Sequence, residues 1–410
     1  MVKSNKNLNK IKSKKSVYLD NASSTVLDSR VLSQMNQAFK KHFSNPSAIH
    51  DLALGTKSVL VDGRQTVASI LGAHSNEIIF TTGATESNNM AIHGVVELAS
   101  KKYKIPHVVI SNIEHASVLE VCKFLEKEKR IEVDYVEVEP NGVLDVNKIK
   151  KVLKKNTVLV SVMYANNEIG TIQPIKEIAK TIRHFKKHNN QNIYPVFHTD
   201  ATQAINYLDI NILRLGVDMM SFNGGKIYGP KGTGVLFKKR GLDINPLIIG
   251  GDQEFGLRAG TENVPLIVGL VEALTLTEKI KDVEIKRLTK LRQVFIKKLK
   301  SLFEKLEVHM ILNGDENIRL PNNVNITIPL IPSDLLLLEL SARGIYASEK
   351  SACKSGDQKN SHVLEAITGH ADKVINSLRF SLGRDTKKED LDYVISCISL
   401  IFKKLKKWYI

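Results

Sequence analysis

Four short segments carry side chains whose types and spacing could do chemistry. In Ser221-Phe-Asn-Gly-Gly-Lys-Ile-Tyr-Gly-Pro-Lys-Gly-Thr-Gly234, Lys226 stands in a glycine-rich loop right after a β-type run. A lysine there can serve as a covalent amine, its basicity lowered by partial burial and a cationic neighbour, or it can be an ordinary solvated loop residue. The flanking glycines, which let backbone approach a ligand, favour the first reading. In Tyr194-Pro-Val-Phe-His-Thr-Asp-Ala-Thr-Gln203 a second β-type run delivers Asp200 at its carboxyl end, with Gln203 three residues on. Such a carboxylate can hold a protonated ring nitrogen or cap a helix. In Thr81-Thr-Gly-Ala-Thr-Glu-Ser-Asn-Asn89 a strand, a glycine turn and a helix start follow one another. The N–H groups of that helix start, with the Thr85 hydroxyl, would hold a phosphate; a plain capped helix is the alternative. In Ser348-Glu-Lys-Ser-Ala-Cys-Lys-Ser-Gly356, Cys353 lies in a polar loop near Lys350 and Lys354, whose charges favour thiolate. Cys122 and Cys397 sit among apolar residues and read as small core hydrophobes.

The elements that must position these groups alternate. Strand-like runs at Ile78–Thr81, Val108–Ser111, Val158–Val162, Val196–Thr199, Met219–Phe222 and Gly234–Phe237 are separated, for the most part, by amphipathic stretches. The latter are Val59–Leu71, Glu86–Leu98, Ser117–Lys127 and Ile175–His188. This pattern predicts an α/β fold with a mostly parallel sheet covered on both faces, and ligands at the carboxyl ends of its strands. After about Leu270 the texture changes. Ile285, Leu288, Leu291, Phe295, Leu299, Leu302 and Leu306 form one apolar stripe on a long lysine-rich helix. Strand-like Asn323–Ile328, a helix over Asp334–Ala342, a strand near Leu378–Ser381 and a last helix opened by a Thr386/Glu389 capping box complete a smaller α+β domain.

Composition bounds the answer. The 410 residues are 42% hydrophobic and 25% charged, enough apolar material for a core and too much for a disordered chain. Three cysteines cannot all pair and none lies in a metal-type cluster, so neither a disulfide scaffold nor a metal site is expected. The longest apolar run, Val394–Phe402, is far short of the ~20 residues of a membrane span. The formal charge is +16, partly from a Lys-, Asn- and Ser-rich tail over 1–16 that has no acidic residue and resembles neither a signal nor a transit peptide. Cytoplasmic localisation is therefore expected. The remaining lysines are spread over helix faces, which suits solubility or an acidic protein partner. No basic stripe interleaved with aromatics marks a nucleic-acid site.

Taken together, the segments resemble the cysteine desulfurases of the NifS/IscS type, pyridoxal-phosphate enzymes of the class V aminotransferase family. The motifs fall in the family's order: Val17-Tyr-Leu-Asp-Asn-Ala-Ser-Ser-Thr25, Asn45-Pro-Ser-Ala-Ile-His50, Gly83-Ala-Thr-Glu-Ser-Asn-Asn89, Glu114-His115 and Asn166-Asn-Glu-Ile-Gly-Thr171. They continue with His198-Thr-Asp-Ala-Thr-Gln203, Lys226-Ile-Tyr-Gly-Pro-Lys-Gly232, Arg258-Ala-Gly-Thr261, Ser351-Ala-Cys-Lys-Ser-Gly356 and Arg379-Phe-Ser-Leu-Gly383.

The resemblance implies the fold type I of pyridoxal-phosphate transferases, with a seven-stranded, mostly parallel sheet. It divides the chain into a basic tail (1–16), an N-terminal segment packing with the small domain (17–30), a large cofactor-binding domain (31–270) and a small domain (271–410) carrying the Cys353 loop. It implies that Lys226 is joined to pyridoxal phosphate, that Asp200 pairs with the ring nitrogen and that His115 stacks on the ring. Gln203 and Asn167 would contact the phenolic oxygen, with Asn167 also near the substrate. Ala84 and Thr85 would contact the phosphate. Thr261 would reach the phosphate of a second subunit, hence a homodimer, and Arg379 would clamp the carboxylate of L-cysteine in a two-point contact. Lys226 would remove the Cα proton, and the Cys353 thiolate would attack the substrate sulfur, giving L-alanine and a persulfide for an acceptor protein of iron–sulfur cluster assembly or tRNA thiolation.

The chain departs from the family at one loop. Where Ser-x-His-Lys is usual, it has Asn223-Gly-Gly-Lys226, so Asn223 and Gly225 replace two phosphate donors. A lost donor is expected to weaken cofactor binding by roughly 1.5–3 kcal/mol while leaving the chemical groups in place. Two other functions fit less of the pattern: a selenocysteine lyase or other class V enzyme, and a non-catalytic sulfur-relay scaffold.

Overall fold

The computed structural model describes residues 15–329, 331–349, 361–369 and 376–409. The first part runs β1 (Val17–Tyr18), α1 (Ser29–Lys41), α2 (Asp51–Leu71), β2 (Ile78–Thr81), α3 (Ala84–Ala99), β3 (His107–Ser111), α4 (Ala116–Lys127), β4 (Glu132–Val136) and α5 (Val146–Val152). It continues with β5 (Thr157–Ser161), α6 (Ile175–His188), β6 (Val196–Asp200), α7 (Ile212–Leu215), β7 (Met219–Asn223) and β8 (Gly234–Lys238). Then come α8 (Val264–Lys305), β9 (Ile311–Leu312), β10 (Asn323–Thr327), α9 (Ser333–Ser341), β11 (Ile345–Tyr346), α10 (His362–Thr368), β12 (Ser377–Ser381) and α11 (Lys388–Tyr409).

Strands β2 to β8 form one seven-stranded sheet in the order β2-β8-β7-β6-β5-β3-β4. Only β8 runs against the rest, pairing antiparallel with both β2 and β7. All residues of β2, β3, β5 and β6 are buried, because helices cover both faces. The apolar side chains accordingly divide into two core clusters. One joins Phe80, Val109, Phe197 and Phe222 to α8, and the other joins Ile79, Val108, Val158 and Met219 to α3 and α4. The sheet's seventh strand, β4, is absent from the strand-like runs of the sequence. It is an edge strand with Glu132 exposed and Asp134 and Tyr135 half-buried, so its apolar content is diluted.

The apolar stripe of the second half belongs to a helix longer than it suggested. α8 spans 42 residues, about 63 Å at ~1.5 Å per residue, and its first turns pack on α1 and α2. It buries Leu288, Phe295, Leu299 and Phe303 against β10, β12 and α11, with Phe295 edge-on to Phe380 at 5.4 Å. The order β12-β10-β9 makes a small antiparallel sheet, and β1 pairs in parallel with β11, tying Val17–Tyr18 to Ile345–Tyr346. The expected Thr386/Glu389 capping box is not formed. The Thr386 hydroxyl instead accepts from Gly383 N at 2.8 Å, and Asp390 accepts from Lys387 N at 3.0 Å, which starts α11 at Lys388. Among the described residues no helix is long and apolar enough to cross a membrane.

Candidate active site

The carboxyl ends of β6 and β7 and the start of α3 meet at a cavity of about 150 Å³. Its wall includes Ala22, Ser23, Ala84, Thr85, His115, Asn167, Asp200, Gln203, Asn223, Lys226 and Arg379. Nine residues expected from the sequence are thereby brought together. Asp200 is the last residue of β6 and Asn223 the last of β7, so the pleat delivers both at one sheet edge. α3 begins at Ala84 after Gly83, which provides no side-chain cap, and Ala84 and Thr85 of its first turn line the cavity, while Glu86 is engaged by Thr82 and Arg258. The Lys226 ammonium donates to the carbonyl of Ser23, and its own carbonyl accepts from Asn206 Nδ2 at 2.5 Å. Gly225 does not line the cavity; its carbonyl accepts from Thr25 N and Oγ1, each at 3.1 Å, which fastens the lysine loop to the N-terminal segment. Thr261 is exposed and outside the cavity. Cys353 lies outside the described residues. The chain before it pairs at Ser348 with the Arg379 backbone (3.1 and 2.6 Å), and the chain after it bonds from Ser361 Oγ to Glu168 at 2.5 Å.

Several residues that the motifs did not single out organise these groups. Asn88 is fully buried one turn after Thr85. Its Nδ2 donates to Asp200 Oδ2 and to Ser117 Oγ, both at 2.8 Å. Asp200 Oδ1 accepts from Thr202 N at 2.9 Å. Ser117 in turn fixes His115, whose Nδ1 accepts from the Ser117 hydroxyl (2.8 Å) and backbone N–H (3.1 Å). The imidazole thus both caps α4 and faces the cavity. Asn88 had a signal in sequence, three residues after Thr85 on one helical face, but a buried asparagine reads no differently from a surface one without the fold.

Burial sets two proton states behind the wall. His198 is wedged between Ser161 Oγ (2.8 Å) and Ser221 Oγ (2.9 Å), and burial pushes it down to about 4, so it is neutral despite the pull of Asp200. Glu114, beside His115, is pushed up to about 8 by burial; Ser111 and Met163 N bond one oxygen and the other has no partner among the described residues. Burial thus holds both groups toward their uncharged forms behind the cavity wall. The cavity wall also carries Arg379, buried to 1% exposure, on β12. It donates from Nη1 to Asn167 O at 3.0 Å and from Nη2 to Asp20 Oδ1 at 2.9 Å and Ser23 Oγ at 2.6 Å.

Fold and site together define a class: an α/β enzyme with a lysine, a carboxylate and an arginine converging at the carboxyl edge of a mostly parallel sheet. The class-V aminotransferase family model matches residues 17–394. The cysteine desulfurase IscS of Dictyoglomus turgidum is 44% identical over 393 residues, 96% of each chain. A solved NifS-like protein superposes with a TM-score of 0.86 at 34% identity, covering 95% of this chain and all of its own. A second structure, SspA in complex with cysteine, has a TM-score of 0.74 at 33% identity over 90% of this chain and 99% of its own. The chain belongs to the class-V aminotransferase family, on its cysteine desulfurase branch.

Proposed function

We propose that the cavity takes sulfur from L-cysteine, with pyridoxal phosphate held on Lys226, and passes it to Cys353. The observation that carries this reading is the convergence of Lys226, Asp200 and Arg379 on one cavity. The residues present fit the cofactor. The start of α3 suits a phosphate, Asp200 suits a protonated ring nitrogen, and the cavity wall holds two buried side-chain oxygens without partners among the described residues, Thr202 Oγ1 and Asn223 Oδ1. When bound, pyridoxal phosphate supplies an electron sink for charge formed at the substrate Cα.

The protein's own groups do the rest. Asn88 and Thr202 N fix the Asp200 carboxylate so that it faces the cavity. Arg379, positioned by Asn167 and Asp20, binds the substrate carboxylate and orients Cα toward Lys226. The Lys226 amine moves the Cα proton, with the Ser23 carbonyl as its hydrogen-bond acceptor. The Cys353 thiolate attacks the substrate sulfur; the new S–S bond forms as the Cβ–S bond breaks, and protons return to Cβ and Cα as alanine leaves. The balance is L-cysteine plus thiol giving L-alanine plus persulfide. Cys353 is four residues past Glu349, a reach of at most ~14 Å, and Glu349 follows the Ser348–Arg379 pairing.

A second copy of the chain is the proposed partner for an apolar face around α1 and α2, where Phe43 is 70% and Ile49 95% exposed. Ile249 and Phe255, before Thr261, are exposed too, which supports a dimer in which Thr261 serves the neighbouring phosphate. The persulfide's onward acceptor is a protein of iron–sulfur assembly or tRNA thiolation. The setting is the cytoplasm, in keeping with Cys122 and Cys397 as buried free thiols. Incubation with L-cysteine tests the reading: stoichiometric alanine and reducible sulfur should appear with wild type, and Cys353→Ser should lose the protein-bound sulfur. Full activity in Cys353→Ser would remove Cys353 from the reaction.

A further inference from the structure

Arg379 is not a bare cation waiting for a substrate. Its guanidinium is 1% exposed, and Nη2 is already shared between Asp20 Oδ1 at 2.9 Å and Ser23 Oγ at 2.6 Å. The Ser23 hydroxyl also donates to the same Asp20 oxygen at 2.8 Å, closing a three-way contact. A guanidinium offers two parallel N–H groups on only two edges, Nη1 with Nη2 and Nε with Nη2. Both edges include Nη2. The Nε edge is the one with capacity left, since Nε is buried and has no partner among the described residues. Whichever edge a carboxylate takes, it comes to lie across one nitrogen from the Asp20 carboxylate, at like-charge contact range in a site shielded from water.

We propose that Asp20 is an affinity-setting counter-charge at the substrate-carboxylate position, holding Arg379 between turnovers and weakening its grip on every carboxylate that enters, product included. This rests on the reading of Arg379 as the carboxylate clamp. L-Cysteine and L-alanine carry the same carboxylate and differ only at Cβ. An uncompensated arginine would hold both, lowering KM without helping the chemical step and slowing release of alanine. Asp20 keeps that uniform binding modest. Ser23 joins this contact to the lysine, because its carbonyl accepts from Lys226 while its hydroxyl lies on Arg379. A carboxylate that displaces the hydroxyl therefore acts on the segment that holds the Lys226 amine.

The test uses holoenzyme and two amines that differ in charge, L-alanine and L-alaninamide, titrated by the change in cofactor absorbance. Asp20→Asn keeps an oxygen for Nη2 to bond and removes the charge. It should bind L-alanine about tenfold tighter, a change expected from removing one like charge at this range, with L-alaninamide within about twofold of wild type. KM for L-cysteine and kcat should fall together. Asp20→Ser should act with the same sign, so the test does not depend on one variant folding. L-Alanine bound no more tightly by either folded variant, or alaninamide tightened equally, overturns the proposal. Arg379→Ala should abolish the preference of alanine over alaninamide. A preference that survives it overturns the clamp reading itself, independently of Asp20.

Discussion

Restoring a donor at position 225 should tighten the cofactor. A Cβ built on Gly225 meets nothing nearer than Lys231 Cγ at 3.4 Å, with Lys231 Cα at 3.8 Å and Asn223 Oδ1 at 3.9 Å. These are ordinary contacts, and the nearest belongs to a flexible side chain. Gly225 does not have a positive φ, so an L-residue is accommodated without backbone strain. Its carbonyl bonds to Thr25 are untouched by a new side chain. Gly225→His places an imidazole on the lysine loop, two residues from Asn223 on the cavity wall. A hydrogen bond to a charged phosphate contributes about 1.5–3 kcal/mol, which is roughly a 10–150-fold lower dissociation constant at ~1.4 kcal/mol per decade. The assay is fluorescence titration of apoenzyme with pyridoxal phosphate, alongside thermal unfolding to verify the fold. A dissociation constant that is unchanged or higher, in a variant with wild-type unfolding temperature, refutes the assignment of this loop to the phosphate.

Other outcomes follow from the buried polar contacts. Asn88→Ala removes the donor shared by Asp200 and Ser117 and should cut kcat/KM for L-cysteine about 10–150-fold, the worth of ~1.5–3 kcal/mol for a bond to a charged group, measured at saturating cofactor. Arg64 donates to both oxygens of Glu254 (2.6 and 2.7 Å) between the rings of Phe80 and Phe255, so Arg64→Ala strands a buried carboxylate. It should lower unfolding free energy by about 3–5 kcal/mol in urea titrations. Glu114 has a raised pKa in the fold, so the folded state binds more protons than the unfolded state between about 4.5 and about 8. Its contribution to stability is full below that window and is lost as pH rises through it. Glu114→Gln should flatten the fall in stability between pH 5 and 9; an unchanged slope would dismiss Glu114 as its source.

The legible parts were those with a local physical signature. β2, β6, β7 and β8 show as short β-branched or aromatic runs because they are buried on both faces, and the residues after them were the ones to read for ligands. Lys226 and Asp200 stood out through glycines and strand ends, whereas His115 was singled out only by the family resemblance. The edge strand β4 escaped because one face meets solvent and its residues are mixed. Asn88, Ser117 and Asp20 escaped for a different reason: their roles exist only across segments far apart in sequence. Asn88 reaches Asp200 from 112 residues away and Asp20 reaches Arg379 from 359, so no spacing rule links them. The Thr386 cap failed because Gly383 N took its hydroxyl, a competition between two nearby donors that composition does not resolve.

The chemistry proposed for the cavity requires pyridoxal phosphate to be joined to Lys226. Holoenzyme reconstituted with pyridoxal phosphate, reduced with borohydride, digested and mapped by mass spectrometry should carry the cofactor's mass on the peptide containing Lys226, and Lys226→Ala should carry none. The label on another lysine, or its persistence in Lys226→Ala, would contradict the assignment of this cavity.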